Sequence, residues 1–177
     1  MTPRKHGVSM DVSGASMAVE MKVKGLMWDP VSRMPIVLLK TQEGSSLLPI
    51  FVGLFEANAI AQQLDGSLSP RPMTHDLLGN LIDALHARVN RVVITDLRDN
   101  TFFALIHLDR NGEHLAIDAR PSDAMALALR VKVPIFVEEA VLERSTASGD
   151  EGEIDEAERL RRWLESVDPE ELGRYEM

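Results

Sequence analysis

Ile117-Asp-Ala-Arg-Pro-Ser-Asp-Ala-Met-Ala-Leu-Ala-Leu-Arg130 joins a strand to a helix. An extended run ends in an acid, the Arg120-Pro121 step opens a helix, and a second acid falls in its first turn. Proline is favoured at a first helical position because its missing N–H is not needed there. Asp118, Arg120, Ser122 and Asp123 therefore belong to one strand-to-helix corner. Such corners collect oxygen donors and free backbone N–H groups, so function is sought here first.

The same grammar extends in both directions. Alternation of apolar and polar residues predicts a strand over 20–26, and further strands are expected over 35–40 and 47–52, with turns at Asp29-Pro30 and Glu43-Gly44-Ser45. A helix is expected over 55–64, with Ala57, Ala61 and Leu64 on one face. After a Gly- and Pro-bearing loop, Thr74 is expected to cap a helix over 75–87. Leu77, Leu78, Leu81, Ile82 and Leu85 give that helix an apolar stripe. Strands follow over 89–97, 101–108 and 114–118, then a helix over 121–131, a short strand over 134–137 and a helical turn or two to Arg144.

With Glu56 laid on Asp123, the chain registers against itself without a gap. Ala57, Ala59 and Ala61 fall on Ala124, Ala126 and Ala128, and Leu48 and Ile50 on Leu115 and Ile117. The expected fold is α+β, with mixed or antiparallel sheets, packed helices and two pseudo-repeated β-β-β-α halves. Residues 1–18 are expected to be a flexible extension, 19–144 the domain, and 145–177 an acidic linker and amphipathic helical tail. In that tail Leu160, Trp163 and Leu164 share one side, which predicts docking and a homodimer or higher homo-oligomer.

Bulk composition narrows the function. The chain has 177 residues, no cysteine and a net charge of −9. Thiolate chemistry and disulfides are excluded. No apolar run approaches the roughly 20 residues of a membrane helix, and no secretory signal is visible, so a cytoplasmic protein with no membrane partner is expected. Much of the acid lies between Asp150 and Glu158, leaving the body closer to balance. No phosphate-binding loop, dinucleotide fingerprint or nucleophile elbow occurs.

What remains is oxygen-rich: Glu56, His75, Asp76, Asp96, Asp118 and Asp123. Carboxylates suit Mg2+ or Mn2+, and two such ions roughly 4 Å apart can drive phosphodiester cleavage. Arg71, Arg98, Arg120 and Ser122 are candidates for holding phosphate, arginine by a bidentate grip. Structural accounts stand beside these. Glu56, Asp76 and Asp123 occupy first-turn positions where an acid favours the helix dipole. Asp118 has a salt bridge to Arg120 as its alternative. Arg88, Arg91, Arg98, Arg130 and Lys132 look scattered, without interleaved aromatics.

Several longer stretches add a resemblance. Leu48-Pro-Ile-Phe-Val-Gly, Glu56-Ala-x-Ala-Ile-Ala, Pro70-Arg-Pro-Met-Thr-His-Asp-Leu-Leu, Val93-Ile-Thr-Asp-Leu-Arg-Asp and the opening stretch resemble the bifunctional nuclease (BFN) domain family, in order, over about 19–142. The resemblance implies a nuclease acting on RNA and DNA, with an α+β domain. The family's polar positions match at Glu56, His75, Asp76, Asp96, Arg120, Ser122 and Asp123. The resulting expectation is a nuclease with Glu56, Asp118 and Asp123 on a divalent metal, His75 or Asp76 acting on water, and Arg71, Arg98, Arg120 and Ser122 toward the nucleic acid. The competing expectation is a non-catalytic anion-binding or protein-interaction module.

Overall fold

The computed structural model describes residues 17–44, 46–67 and 69–147. Most of the expected N-terminal extension, and the acidic tail with its amphipathic helix, lie outside them. Among the described residues, one sheet of seven strands carries four helices. In chain order these are β1 (Ala18–Trp28), β2 (Pro35–Thr41), β3 (Leu47–Phe51), α1 (Leu54–Leu64), α2 (Thr74–Ala84), β4 (Ala87–Arg98), β5 (Thr101–Arg110), β6 (Glu113–Ala119), α3 (Pro121–Val131), β7 (Ile135–Glu138) and α4 (Glu139–Ala147). The strand order is β3-β2-β1-β7-β4-β5-β6, antiparallel except for the β4–β7 pair.

This is the expected α+β architecture. Strand order reads symmetrically about β7, yet order alone does not establish the expected duplication. The β4–β5 and β5–β6 connections are two-residue hairpins. Asp99-Asn100 and Asn111-Gly112 each place both central residues at positive φ, as the tight turn matching strand twist requires.

The opening stretch forms the centre of the molecule. Ala, Met and Leu are strong helix formers, and α3 consists largely of them. Ala124, Met125, Ala126, Leu127 and Ala128 are all essentially inaccessible. A helix apolar on every side must be covered on every side. The sheet covers it through Val92, Ile94, Ala104 and Ile106, α1 through Ala57, Ile60 and Ala61, and α2 through Gly79, which lies against Leu127 and Val131; Val141 of α4 joins the same buried cluster. Alternation along each strand puts the neighbouring residues on the opposite face. Leu105, Phe136 and Arg91 lie there, and so does Asp118, which pairs directly with Leu105.

Four local expectations need correction. Leu64 is exposed, while Ala59 and Ile60 are buried in α1. Thr74 is the first helical residue rather than the cap; the backbone N–H of Met73, one residue earlier, donates to Asp76 Oδ2 at 2.9 Å. The helix ends at Ala84, and Ala87 already belongs to β4. Ser145 to Ala147 continue α4 instead of beginning a linker.

The largest departure concerns α2. Its leucine stripe faces outward, with Leu77, Leu78, Leu81 and Leu85 all exposed, Leu85 at 69%. The buried residues of α2 are His75 and Gly79. A Cβ at Gly79 would meet Val131 Cγ1 at 3.4 Å, so the small residue lets α2 lie close on α3. The helix docks through its His75–Gly79 edge because that edge carries the polar contacts described below.

These placements separate two kinds of leucine. Leu85→Gln is expected to change unfolding free energy by less than about 0.5 kcal/mol. Leu127→Ala is expected to cost about 2–5 kcal/mol through transfer and cavity terms. Urea titration of both variants checks this; equal costs would show that α2 buries its leucines.

Candidate active site

Three helices begin close to one another. Glu56 is the third residue of α1, Asp123 the third of α3, and His75 the second of α2. Arg120, the residue before α3, ties them together. Its Nη2 meets Glu56 Oε1 at 2.8 Å and its Nε donates to Asp123 Oδ2 at 2.8 Å. The other Asp123 oxygen meets His75 Nε2 at 3.1 Å. The result is a chain of four side chains, Glu56–Arg120–Asp123–His75.

Burial differs along the chain. His75 is buried and Glu56 nearly so, whereas the Arg120 side chain is 67% exposed. The cation is thus held at its base and open to solvent beyond. Gly53, which precedes α1, accommodates the Glu56 carboxylate. A Cβ at Gly53 would sit 2.2 Å from Oε2, so any other residue would displace it. Burial pushes the Asp123 carboxyl up, but hydrogen bonds from Arg120 and His75, with the Arg120 charge, outweigh burial and hold it below the usual carboxylate range. The same pairing with Asp123 and Glu56 raises Arg120.

A second pair fixes the position of α2. Arg130, in the last turn of α3, donates from Nε to Asp76 Oδ1 at 2.7 Å. Its Nη1 and Nη2 donate to the carbonyls of Ala126 and Ala59. The Arg130 side chain is only 7% exposed. Asp76 is therefore occupied twice, by Arg130 and by the Met73 N–H, and acts as a structural clamp. Arg130 had looked like one of several scattered bases. A lone cation in an otherwise apolar helix is the signal that could have marked it as buried and paired. Beside this clamp, a cavity of about 450 Å3 is lined by His75, Asp76, Asn80, Asp83, Arg88 and Arg130, among others.

Other candidate residues lie elsewhere. Asp118 is exposed on the far face of the sheet, and among the described residues its side chain forms no hydrogen bond or ion pair. It pairs with neither Arg120 nor the other acids. Asp96 belongs to a separate cluster with Arg98 and Arg144. Burial pushes the Asp96 carboxyl up, but the Leu97 N–H and the two arginines outweigh it and leave it lowered. Ser122 is buried, and Arg71 is exposed in the loop before α2 without joining the cluster.

The metal set expected from Glu56, Asp118 and Asp123 does not fit this arrangement. Asp118 is on the opposite face, and the Arg120 cation stands between the other two. Among the described residues, no three His, Asp or Glu side chains converge as a metal-binding group.

Residues 37–149, which include all three helix starts, match the family model of the bifunctional nuclease domain. The chain belongs to that family. The chain is 41% identical over 162 residues to an uncharacterized protein of Mycobacterium tuberculosis, covering 86% of this chain and 97% of that one. It is 30% identical over 105 residues to Bifunctional nuclease 1 of Oryza sativa subsp. indica, spanning 57% of this chain and 32% of the rice protein. A similar match, 30% over 107 residues, is found with Bifunctional nuclease 1 of Arabidopsis thaliana, over 58% of this chain and 33% of the plant protein. Among the described residues, no helix of this domain is long and apolar enough to cross a membrane.

The lowered carboxyl of Asp123 has a pH signature. A depressed folded value means that its stabilisation is complete above the unfolded value, about 3.9, and is lost as pH falls through the folded one. The stability gap between the parent and Asp123→Asn should be widest near neutrality and close below about pH 4. Acid unfolding followed by circular dichroism tests it; a gap independent of pH would contradict the assignment.

Proposed function

We propose that this chain hydrolyses phosphodiester bonds of RNA, DNA or both. One observation carries the reading: an exposed guanidinium is held between Glu56 and Asp123, and the second oxygen of Asp123 engages His75. Family membership and the names of the plant relatives support it.

Each residue then has a chemical part. Arg120 exchanges part of its contact with the carboxylates for a phosphate oxygen and balances the charge that grows there. Asp123 orients the His75 imidazole and stabilises it when protonated, as an acid does for a histidine base. The attacking water passes its proton to this pair as its oxygen bonds to phosphorus. The leaving oxygen takes a proton back as its bond breaks. Glu56 keeps Arg120 aimed. Mg2+ or Mn2+ is a variable of the assay.

The test uses highly purified full-length protein and labelled RNA and DNA oligonucleotides, with Mn2+, with Mg2+ and with a chelator. His75→Gln and Asp123→Asn should each slow cleavage by about 10²–10⁴-fold. Asp118→Asn, altered on the far face, should not show a loss of that size. Equal rates for the parent and all three variants would identify a contaminant. The chain would then be better read as an anion-binding or interaction module.

Self-association belongs to the same proposal. The exposed leucines of α2 support it, since contiguous apolar surface on a folded chain marks an interaction site. Leu77→Gln with Leu81→Gln should lower the mass measured by sedimentation equilibrium. An unchanged mass would remove α2 as the interface.

A further inference from the structure

The helices all pack on one face of the sheet, through one buried cluster; on the other face Met27, Ile36, Leu38 and Val93 are also buried, while Lys22, Arg91, Arg98 and Asp118 are exposed. The other face carries no helix among the described residues. On it, arginines and phenylalanines are interleaved in space though separated in sequence. Arg98 lies over the Phe103 ring at 4.5 Å from its centroid, and Arg91 over Phe136 at 5.9 Å. Lys22 and Lys40 pair directly across β1 and β2 on the same face. The acids there are Glu20, opposite Phe136, Glu138, two residues beyond Phe136 in β7, and Asp118, opposite Leu105, while Asp109 is bound by His114 and Asp96 at the margin by Arg98 and Arg144. With the Arg98–Asp96 pair set aside, Lys22, Lys40 and Arg91 balance Glu20, Glu138 and Asp118, so this face is near neutral in a chain of net charge −9.

We propose that this helix-free face of the sheet binds single-stranded nucleic acid, with bases layered on the Arg98–Phe103 and Arg91–Phe136 pairs and phosphates over the lysines. Unpaired bases stack on arginine planes and aromatic rings, and a cationic track follows their backbone. A duplex keeps its bases inside the stack and offers these rings nothing. Arg98 stays 64% exposed while lying on Phe103, so the pair is accessible from solvent.

Position adds a second argument. Ala104 pairs with Ala119 across β5 and β6. The next residues at that end are Phe103 and Arg120, so the Arg98–Phe103 pair and the Arg120 cluster lie at the same end of the β5–β6 ladder, one on each face. A strand lying on the face would deliver a phosphate to Arg120 as it passes over the edge. This step rests on the reading that Arg120 receives the scissile phosphate.

The experiment measures binding apart from cleavage. Fluorescence anisotropy of full-length protein is read with a labelled phosphorothioate oligothymidylate, single-stranded or annealed to its complement. Single strand should bind more tightly than duplex, and affinity should fall between about 50 and 200 mM salt. Arg91→Gln with Arg98→Gln should weaken single-strand binding at least about tenfold. Phe103→Leu with Phe136→Leu keeps apolar volume and every charge, and should weaken it by a similar factor. Melting temperature is recorded for each.

Unchanged binding after loss of the rings would overturn the inference and indicate a purely electrostatic partner such as an acidic peptide. Equal affinity for duplex and single strand would also overturn it. A parent that cleaves but shows no strand preference removes this face and leaves the nuclease standing. Binding to single strands without cleavage does the reverse.

Discussion

The burial of α3 on every side governs this structure. Ala124, Ala126 and Ala128 are small enough for the sheet and α1 to approach together, while Met125 and Leu127 fill the space between. Each of those larger side chains contributes about 1.5–3 kcal/mol when removed from water. The two ends of α3 then organise what surrounds it. Arg120 before its first turn binds Glu56 of α1, and Arg130 in its last turn binds Asp76 of α2 and a carbonyl of α1. A helix that is apolar along its flanks can be oriented only at its ends, and both ends carry an arginine.

The two arginines do different work because their surroundings differ. Arg130 is enclosed, so its ion pair is weakly screened and every donor direction matters. Removing its partner would leave a charge buried without compensation, the costly case for any ion pair. Arg120 is mostly solvated, and exposed pairs contribute little to folding. It can leave its carboxylates at small cost when another anion arrives. The cluster is stable where it positions α2 and exchangeable where substrate chemistry is proposed.

Much of the fold was legible because each segment carried one strong period. The α3 helix was read with its observed bounds from Pro121 and the run of helix formers, and β2 and β3 as apolar runs on either side of a Glu43-Gly44-Ser45 turn. The α2 helix misled for a definable reason. A hydrophobic stripe says that a surface avoids water, and not which neighbour covers it; Gly79 and the Asp76–Arg130 pair decided that instead. The site was legible residue by residue but not as a constellation. Glu56, His75, Arg120 and Asp123 do converge. Asp118 lies on the opposite face although only two residues separate it from Arg120, because β6 ends at Ala119 and the chain turns into α3 before alternation could bring Arg120 to the same side. The aromatic neighbours of Arg91 and Arg98 were invisible in the linear chain, since Phe136 reaches Arg91 only through the pairing of β7 with β4.

The short strand β7 has a consequence for biosynthesis. It lies between β1 and β4, pairing Ala18 with Glu138 on one side and Val92 with Ile135 on the other. The strands on either side of it are complete long before it leaves the ribosome. Until then β1 and β4 each present an unpaired edge, and such edges recruit strands from other chains. Closing the sheet also requires a contact spanning most of the domain, which is slow to form. A nascent chain halted before residue 135 would expose both edges together with the apolar bed of α4, making the final short strand the point at which this domain becomes safe from aggregation.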